Sequence, residues 1–369
     1  MRQKNIFAFL TFLLLTLSSC TPSKFTPEEV NFPLAKSHSI LLQNQVVKKI
    51  GASQSLVVFQ TLEGGLQAIE LSTNKSVWAI KDFQTKTTDP DILFLDDTTV
   101  LMSDTKLLLV NNLGQKTFVN LNPKRYENMM LVAAYEKYVY IIRGGNWHLE
   151  VYDISANKMV WDVPAGRGIL KVFYDSVIDT VYVITTSSVE AYSNSTGALL
   201  WKTEISADQS TYANGVIYFT NVVNFPKEYV VTALDANSHK VLWSKEFPYD
   251  ISLYMYGLNV FDNVLVMNAD SELFAFDITS GDFKWETYTH DSNLYTSPVL
   301  LDEVFYVKNS NKIVYAISPK DGSIIGYVQL EPGSLTGGQL TYEAISGVFL
   351  FQNGIVFKTK NSIEYYTPK

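Results

Sequence analysis

A tryptophan recurring at a nearly fixed interval constrains this chain more than any other feature. Trp78, Trp161, Trp201, Trp243 and Trp285 each follow by four positions a small or turn-forming residue, namely Asn74, Asn157, Gly197, His239 and Gly281. Two degenerate copies fill the gaps, with Phe118 four after Gly114 and Gly326 four after Gly322, and together the seven anchors are almost evenly spaced. The register extends upstream. Ten positions before the anchors stand Ala68, Leu108, Val151, Ala191, Ala233, Ala275 and Ala316, all small or aliphatic. Nine before stand Ile69, Leu109, Tyr152, Tyr192, Leu234, Phe276 and Ile317, all large and apolar. A unit of this length cannot bury its own apolar face and must stack on its neighbours.

Each unit reads as short strands joined by polar turns. In Leu273–Trp285 and Val314–Gly322, β-rich runs flank Asp, Ser, Thr and Gly, which is hairpin chemistry. Asn214–Phe219, Asp262–Met267 and Asp302–Val307 add a further apolar run ahead of a hairpin, which gives three or four strands per unit. Helical repeats of similar length need apolar residues at i, i+3, i+4 and i+7, whereas these segments are rich in Val, Tyr, Phe and Thr. The expected fold is all-β, a β-propeller of four-stranded antiparallel blades. Ile363–Thr367 repeats the strand before the turn, yet the sequence ends at Lys369, before an eighth anchor. One repeat back from Trp78 lies Lys36, so Val30–Ile40 is expected to supply the missing outer strand and close an eight-bladed ring. A seven-bladed ring is the alternative if 331–366 forms an irregular cap.

The first twenty residues carry an address. Arg2 and Lys4 precede the apolar stretch Ile6–Leu17, the order of a secretory signal and too short to span a bilayer comfortably. The stretch ends in Leu17-Ser18-Ser19-Cys20, which resembles a bacterial lipobox, with the one cysteine of the chain at the position that needs a thiol. The expected organisation is a signal peptide over 1–19, a lipidated flexible tether over 20–30 and the propeller over 31–369. Removing 1–19 takes Arg2 and Lys4 away and changes the net charge from −8 to −10. Thr21 after the cysteine implies the outer membrane by resemblance to Gram-negative sorting rules, with the membrane reached through the lipid. The acidic balance, with no basic block, argues against nucleic acid. One cysteine and four scattered histidines offer no disulfide framework or zinc-finger spacing, and no nucleophile or phosphate motif is present, so no catalytic residue, cofactor or metal is expected.

The repeats around Val231–Trp243 and Leu273–Trp285 resemble those of pyrroloquinoline-quinone (PQQ) propellers, and with the lipobox the chain resembles the BamB lipoproteins of the outer-membrane β-barrel assembly machinery. That resemblance implies a non-enzymatic, periplasm-facing scaffold whose partner is the assembly complex. The alternatives are an envelope lipoprotein that senses or binds a small molecule or glycan, and a PQQ-dependent dehydrogenase. The enzyme family implies a calcium-bound quinone and commonly a disulfide of adjacent cysteines, which one cysteine cannot form. The repeat tryptophans are expected to pack on neighbouring blades. Trp147 lies outside the register, in Arg143-Gly-Gly-Asn-Trp147-His148, as a loop aromatic suited to binding. By resemblance, an Arg-Gly step ahead of the following blade marks the partner surface, which implies Arg167-Gly168, with Arg143-Gly144 competing. The neighbouring leucines of the family are absent; Val163 and Ala165 stand there.

Overall fold

The computed structural model describes residues 32–42, 47–53, 55–61, 65–81, 83, 92–96, 98–103, 106–121, 129–144, 147–165, 168–222, 229–246, 255–289, 293–294, 296–330, 348–359 and 362–369. All lie in one compact unit, Asn31–Lys369. Cys20 and the expected signal peptide and tether lie outside the described residues, as does Arg167. The described strands form eight antiparallel sheets of four, and seven of them are consecutive in sequence. Blade 1 runs from Val47 to Ile80, blade 2 from Leu93 to Asn120, blade 3 from Met129 to Pro164 and blade 4 from Ile169 to Glu204. Blades 5, 6 and 7 begin at Gln209, Met255 and Val299 and end at Glu246, Tyr288 and Gln329. Blade 8 joins the two ends of the chain. Val348–Phe351, Gly354–Lys358 and Ser362–Pro368 supply its first three strands, and Leu34–Leu41 pairs with Ser362–Pro368 as the outer one. The expected closure of an eight-bladed ring by the N-terminal segment is the one observed.

The repeat register has a direct structural meaning. Across the third and outer strands of a blade, the residue ten before the anchor pairs with the anchor itself, as in Ala68 with Trp78, Ala233 with Trp243 and Ala316 with Gly326. The residue four before the anchor is the left-handed one that closes the hairpin, with φ of 55° at Asn74, 59° at His239 and 72° at Gly281. The pairing of third and outer strands is bulged in every blade except blade 2, where it runs without interruption from Lys106–Asn120 to Val110–Lys116.

Packing is between blades rather than within them. Eight apolar clusters of described residues each straddle two consecutive blades, from blades 1 and 2 around to blades 8 and 1. Middle strands such as Thr180–Thr185 and Val57–Thr61 are buried on both faces, so they read as continuous apolar runs; the outer strand Lys158–Pro164 buries only Trp161 fully and is largely exposed. The anchor indole seals the five joints that carry one. Trp161 stacks on Tyr192 of the next blade at 6.2 Å and donates its Nε1 hydrogen to the Asn194 carbonyl at 2.5 Å. Trp243 and Trp285 donate likewise to Ile278 and Pro319, at 2.9 and 2.8 Å. An added Cβ at Gly281 would lie 2.5 Å from Trp243 Cε3, so this turn glycine also makes room for the neighbouring indole.

Candidate partner-binding surface

Of the residues that the sequence singles out, Arg143, Trp147 and Gly168 lie at the end of blade 3 where its second strand stops, its third begins and its outer strand leaves. The third strand, His148–Asp153, pairs with the outer strand, Lys158–Pro164, through His148 with Pro164, Leu149 with Val163 and Glu150 with Asp162. The loop that enters the third strand and the connector that leaves the outer strand are therefore neighbours. Ala165 N–H donates to the Trp147 carbonyl at 2.8 Å and fastens one to the other. Trp147 adopts φ 53°, is half-buried, and packs with Val163 and Ala165 against the cluster between blades 3 and 4. Its ring is thus partly a packing element and partly open to solvent.

Gly168 ends the connector with φ 71°. An added Cβ would lie 2.7 Å from Thr186 Oγ1 in the next blade, and Thr186 N–H donates to the Gly168 carbonyl at 3.0 Å. Both the backbone angle and the close approach require glycine. Together Trp147 and Gly168 hold the two ends of the connector that carries Arg167.

Arg143 turns inward. It is only 9% exposed and ion-pairs with Glu150, which is fully buried. Burial pushes the Glu150 carboxyl up, while the Arg143 guanidinium and the Tyr152 hydroxyl, which donates at 3.0 Å, pull it down. Tyr152 is itself raised by burial and by the adjacent carboxylate. Beside this pair, His148 Nδ1 meets Asp162 Oδ1 at 2.6 Å. The same Glu-x-Tyr pairing recurs in Glu190 with Tyr192 at 2.6 Å and Glu364 with Tyr366 at 3.3 Å. In blades 3 and 4 this buried polar motif stands eleven and nine positions before the anchor. Its signal was in the sequence, in the words Glu150-Val-Tyr152, Glu190-Ala-Tyr192 and Glu364-Tyr-Tyr366.

No three His, Cys, Asp or Glu side chains come together as a metal-binding group among the described residues. With one cysteine in the chain, the disulfide of adjacent cysteines common in the enzyme family cannot form within it.

These features define an eight-bladed propeller built of PQQ-type repeats. Residues 185–337 match a family model described as "Outer membrane protein assembly factor BamB". In fold the chain is BamB-like: it superposes on BamB from Moraxella catarrhalis with a TM-score of 0.64 at 16% identity, over 90% of this chain and 99% of that one. The computationally designed Ika8 protein matches at 0.68 and 13% identity, over 92% of this chain and 100% of that one. A quinohemoprotein alcohol dehydrogenase from Comamonas testosteroni matches at 0.63 and 11% identity, over 91% of this chain and 78% of the enzyme. No curated protein matches it in sequence. At these identities the structural matches speak for the fold, which the enzyme and BamB share.

Proposed function

We propose that this protein is a lipid-anchored, non-catalytic scaffold of the outer membrane that serves the assembly of β-barrel membrane proteins. The observation that carries this reading is the agreement of two independent likenesses on one protein: residues 185–337 fit the BamB family model, and the fold follows BamB along nearly its whole length. Supporting it are the lipobox-like Leu17–Cys20 and the acidic balance. In this reading Cys20 carries the lipid, the propeller faces the periplasm, and the blade 3 surface receives the partner. Arg167 supplies a planar five-donor fork, Gly168 sets its turn, Trp147 adds an aromatic edge, and Arg143 holds the entering loop through Glu150. The test is affinity purification of the full-length chain from its native envelope. The β-barrel assembly complex should co-purify with wild type and be reduced roughly thirtyfold in affinity for Arg167→Ala, the cost of an interfacial arginine hot spot. Absence of the complex from the wild-type eluate would refute the assembly role; equal recovery with Arg167→Ala would move the partner surface elsewhere.

A further inference from the structure

Two of the seven anchors are not tryptophan, and their blade joints differ. At blade 7 the anchor register holds Gly326, which leaves no ring to seal the joint with blade 8. Phe32 fills it. Its ring lies 5.7 Å from Tyr306 and 6.1 Å from Tyr366. Tyr306 pairs with Ala316, the residue that faces Gly326, just as Tyr182 pairs with Ala191 opposite Trp201. Trp201 lies 6.0 Å from Tyr182, so Phe32 stands where an anchor indole would stand. The ring comes from a different stretch of chain, presented by the extended segment that leads into Leu34–Leu41.

At blade 2 the anchor register holds Phe118, paired with Leu108. Here the outer strand lacks the bulge, and Phe118 is 50% exposed where Trp78, Trp161, Trp243 and Trp285 are 4–8% exposed. Between it and blade 3 lies a pocket of about 540 Å³, walled by Phe118 and by Met159, itself 48% exposed. Tyr152, the residue that corresponds to Tyr192 under Trp161, lines it together with the buried Arg143–Glu150 pair. Seven before the blade 3 anchor stands Ile154, the repeat position of Asn194, Ile278 and Pro319, whose carbonyls accept the indole hydrogen in other joints. Asn120, Asn157, Lys158 and Asp162 add polar groups to its lining. A cavity of about 150 Å³ already admits a benzene-sized ring, so space is ample.

We propose that the groove between blades 2 and 3 is a docking pocket for an aromatic side chain, indole above all, carried on an extended segment of a partner protein. The molecule itself points to the occupant: five joints hold an indole, and the joint whose anchor is Gly326 takes a ring from a separate chain segment. The pocket offers Phe118 and Met159 as faces for the ring, Tyr152 as an aromatic partner and the Asp162 carboxylate as an acceptor for an N–H donor, with Asn120, Asn157 and Lys158 suited to peptide amides. The inference rests on the scaffold reading only in taking the ring to be protein-borne.

The test uses the full-length chain in detergent micelles and two peptides, Gly-Gly-Trp-Gly-Gly and its Ala counterpart, with free indole as a third ligand, followed by calorimetry and saturation-transfer NMR. The Trp peptide should bind saturably, and the Ala peptide at least tenfold more weakly. Phe118→Trp fills the pocket from within and should weaken the Trp peptide at least tenfold while raising the unfolding midpoint. Met159→Glu, an exposed substitution, should weaken it comparably and keeps the test valid if Phe118→Trp does not fold. Equal binding of the Trp and Ala peptides, or unchanged binding to both variants, would overturn the pocket. Saturation by free indole without binding of the Trp peptide would overturn a protein-borne ring. A Trp peptide that binds to a protein with no assembly complex in its eluate would leave the pocket standing and remove only the proposed assembly role.

Discussion

If the indole of one blade docks on the turn glycine of the next, a single methyl group at Gly281 should cost more than its backbone angle alone explains. Gly281 has φ 72°, where an L-residue costs roughly 1–2 kcal/mol, partly offset by a gain of about 0.4–1 kcal/mol from the stiffer unfolded chain that alanine brings. Its Cβ would also lie 2.5 and 2.6 Å from Trp243 Cε3 and Cδ2, a clash with fused-ring atoms that overpacking series put at about 1–3 kcal/mol. Gly215 is the control, because at φ 78° its Cβ would meet nothing nearer than Asn237 Nδ2 at 3.9 Å. Gly281→Ala should therefore destabilise by about 1–3 kcal/mol more than Gly215→Ala in urea unfolding followed by circular dichroism. Trp243→Leu removes the fused ring, and in that background the two alanine substitutions should cost the same. Equal costs in the wild-type background would refute indole docking as the reason for glycine at this position.

Cys20→Ser should abolish labelling by radioactive palmitate, and equal labelling of both proteins would remove the lipid anchor. Phe32→Ala should cost about 3 kcal/mol or more by urea unfolding, as truncation of a core phenylalanine does, and an unchanged midpoint would show that the joint between blades 7 and 8 closes without it. Asp153 is held at about 2: burial opposes this, but hydrogen bonds from the Ser155 hydroxyl and Ala156 N–H and the Lys137 ammonium at 3.0 Å outweigh it. A depressed carboxyl stabilises fully above its unfolded value near 3.8 and loses that contribution as pH falls toward 2, so the gap in melting temperature between wild type and Asp153→Ala should be constant above about pH 5 and shrink below pH 4. A gap that is flat down to pH 2 would refute the assignment. Adding pyrroloquinoline quinone and calcium with alcohols and aldoses should give no dye reduction, and quinone-dependent turnover would restore the enzyme reading.

The blade number and the closing strand were legible because period and turn chemistry are local properties of sequence. Trp201 and Ala191 advertise a pair ten apart, and Asn157 or Gly197 advertises a left-handed turn, whatever surrounds them. Contacts between blades were less legible. Nothing in Gly281 announces that Trp243, from the preceding blade, lies on it, since that neighbour is fixed only once the ring exists. Arg143 and Arg167 both read as loop arginines followed by glycine, yet Arg143 ends a strand and faces Glu150 in the interior. The sign was present in the spacing, because Arg143 and Glu150 flank a hairpin whose strands put His148 opposite Arg143. Phe32 could not be foreseen at all: its role depends on the absence of a ring at Gly326, close to the other end of the chain.

The outer strand of blade 8 must find its register without a covalent turn to its partner, since Leu34 and Pro368 lie at opposite ends of the chain. A slip of one residue would turn every side chain of Leu34–Leu41 to the other face, so something has to single out one pairing. Three marks do so. Phe32 fits the vacancy above Gly326, Leu34 and Ile40 are the buried positions of the strand, and Lys36 meets Glu364 at 2.5 Å. Glu364 is nearly buried and also accepts from Ser362 and Tyr366, so a slipped strand would leave its carboxylate without the lysine. Breaking such a pair costs far more than the pair contributes over an apolar substitute, which suits it to specifying register rather than strength. The bulge between Lys36 and His38 adds a fourth constraint, because it is the same irregularity that blades 1 and 3 to 7 place after their anchor pairs. The N-terminal strand thus repeats the local geometry of the other outer strands, and the ring closes with the joint between blades 7 and 8 filled by its own leading residue.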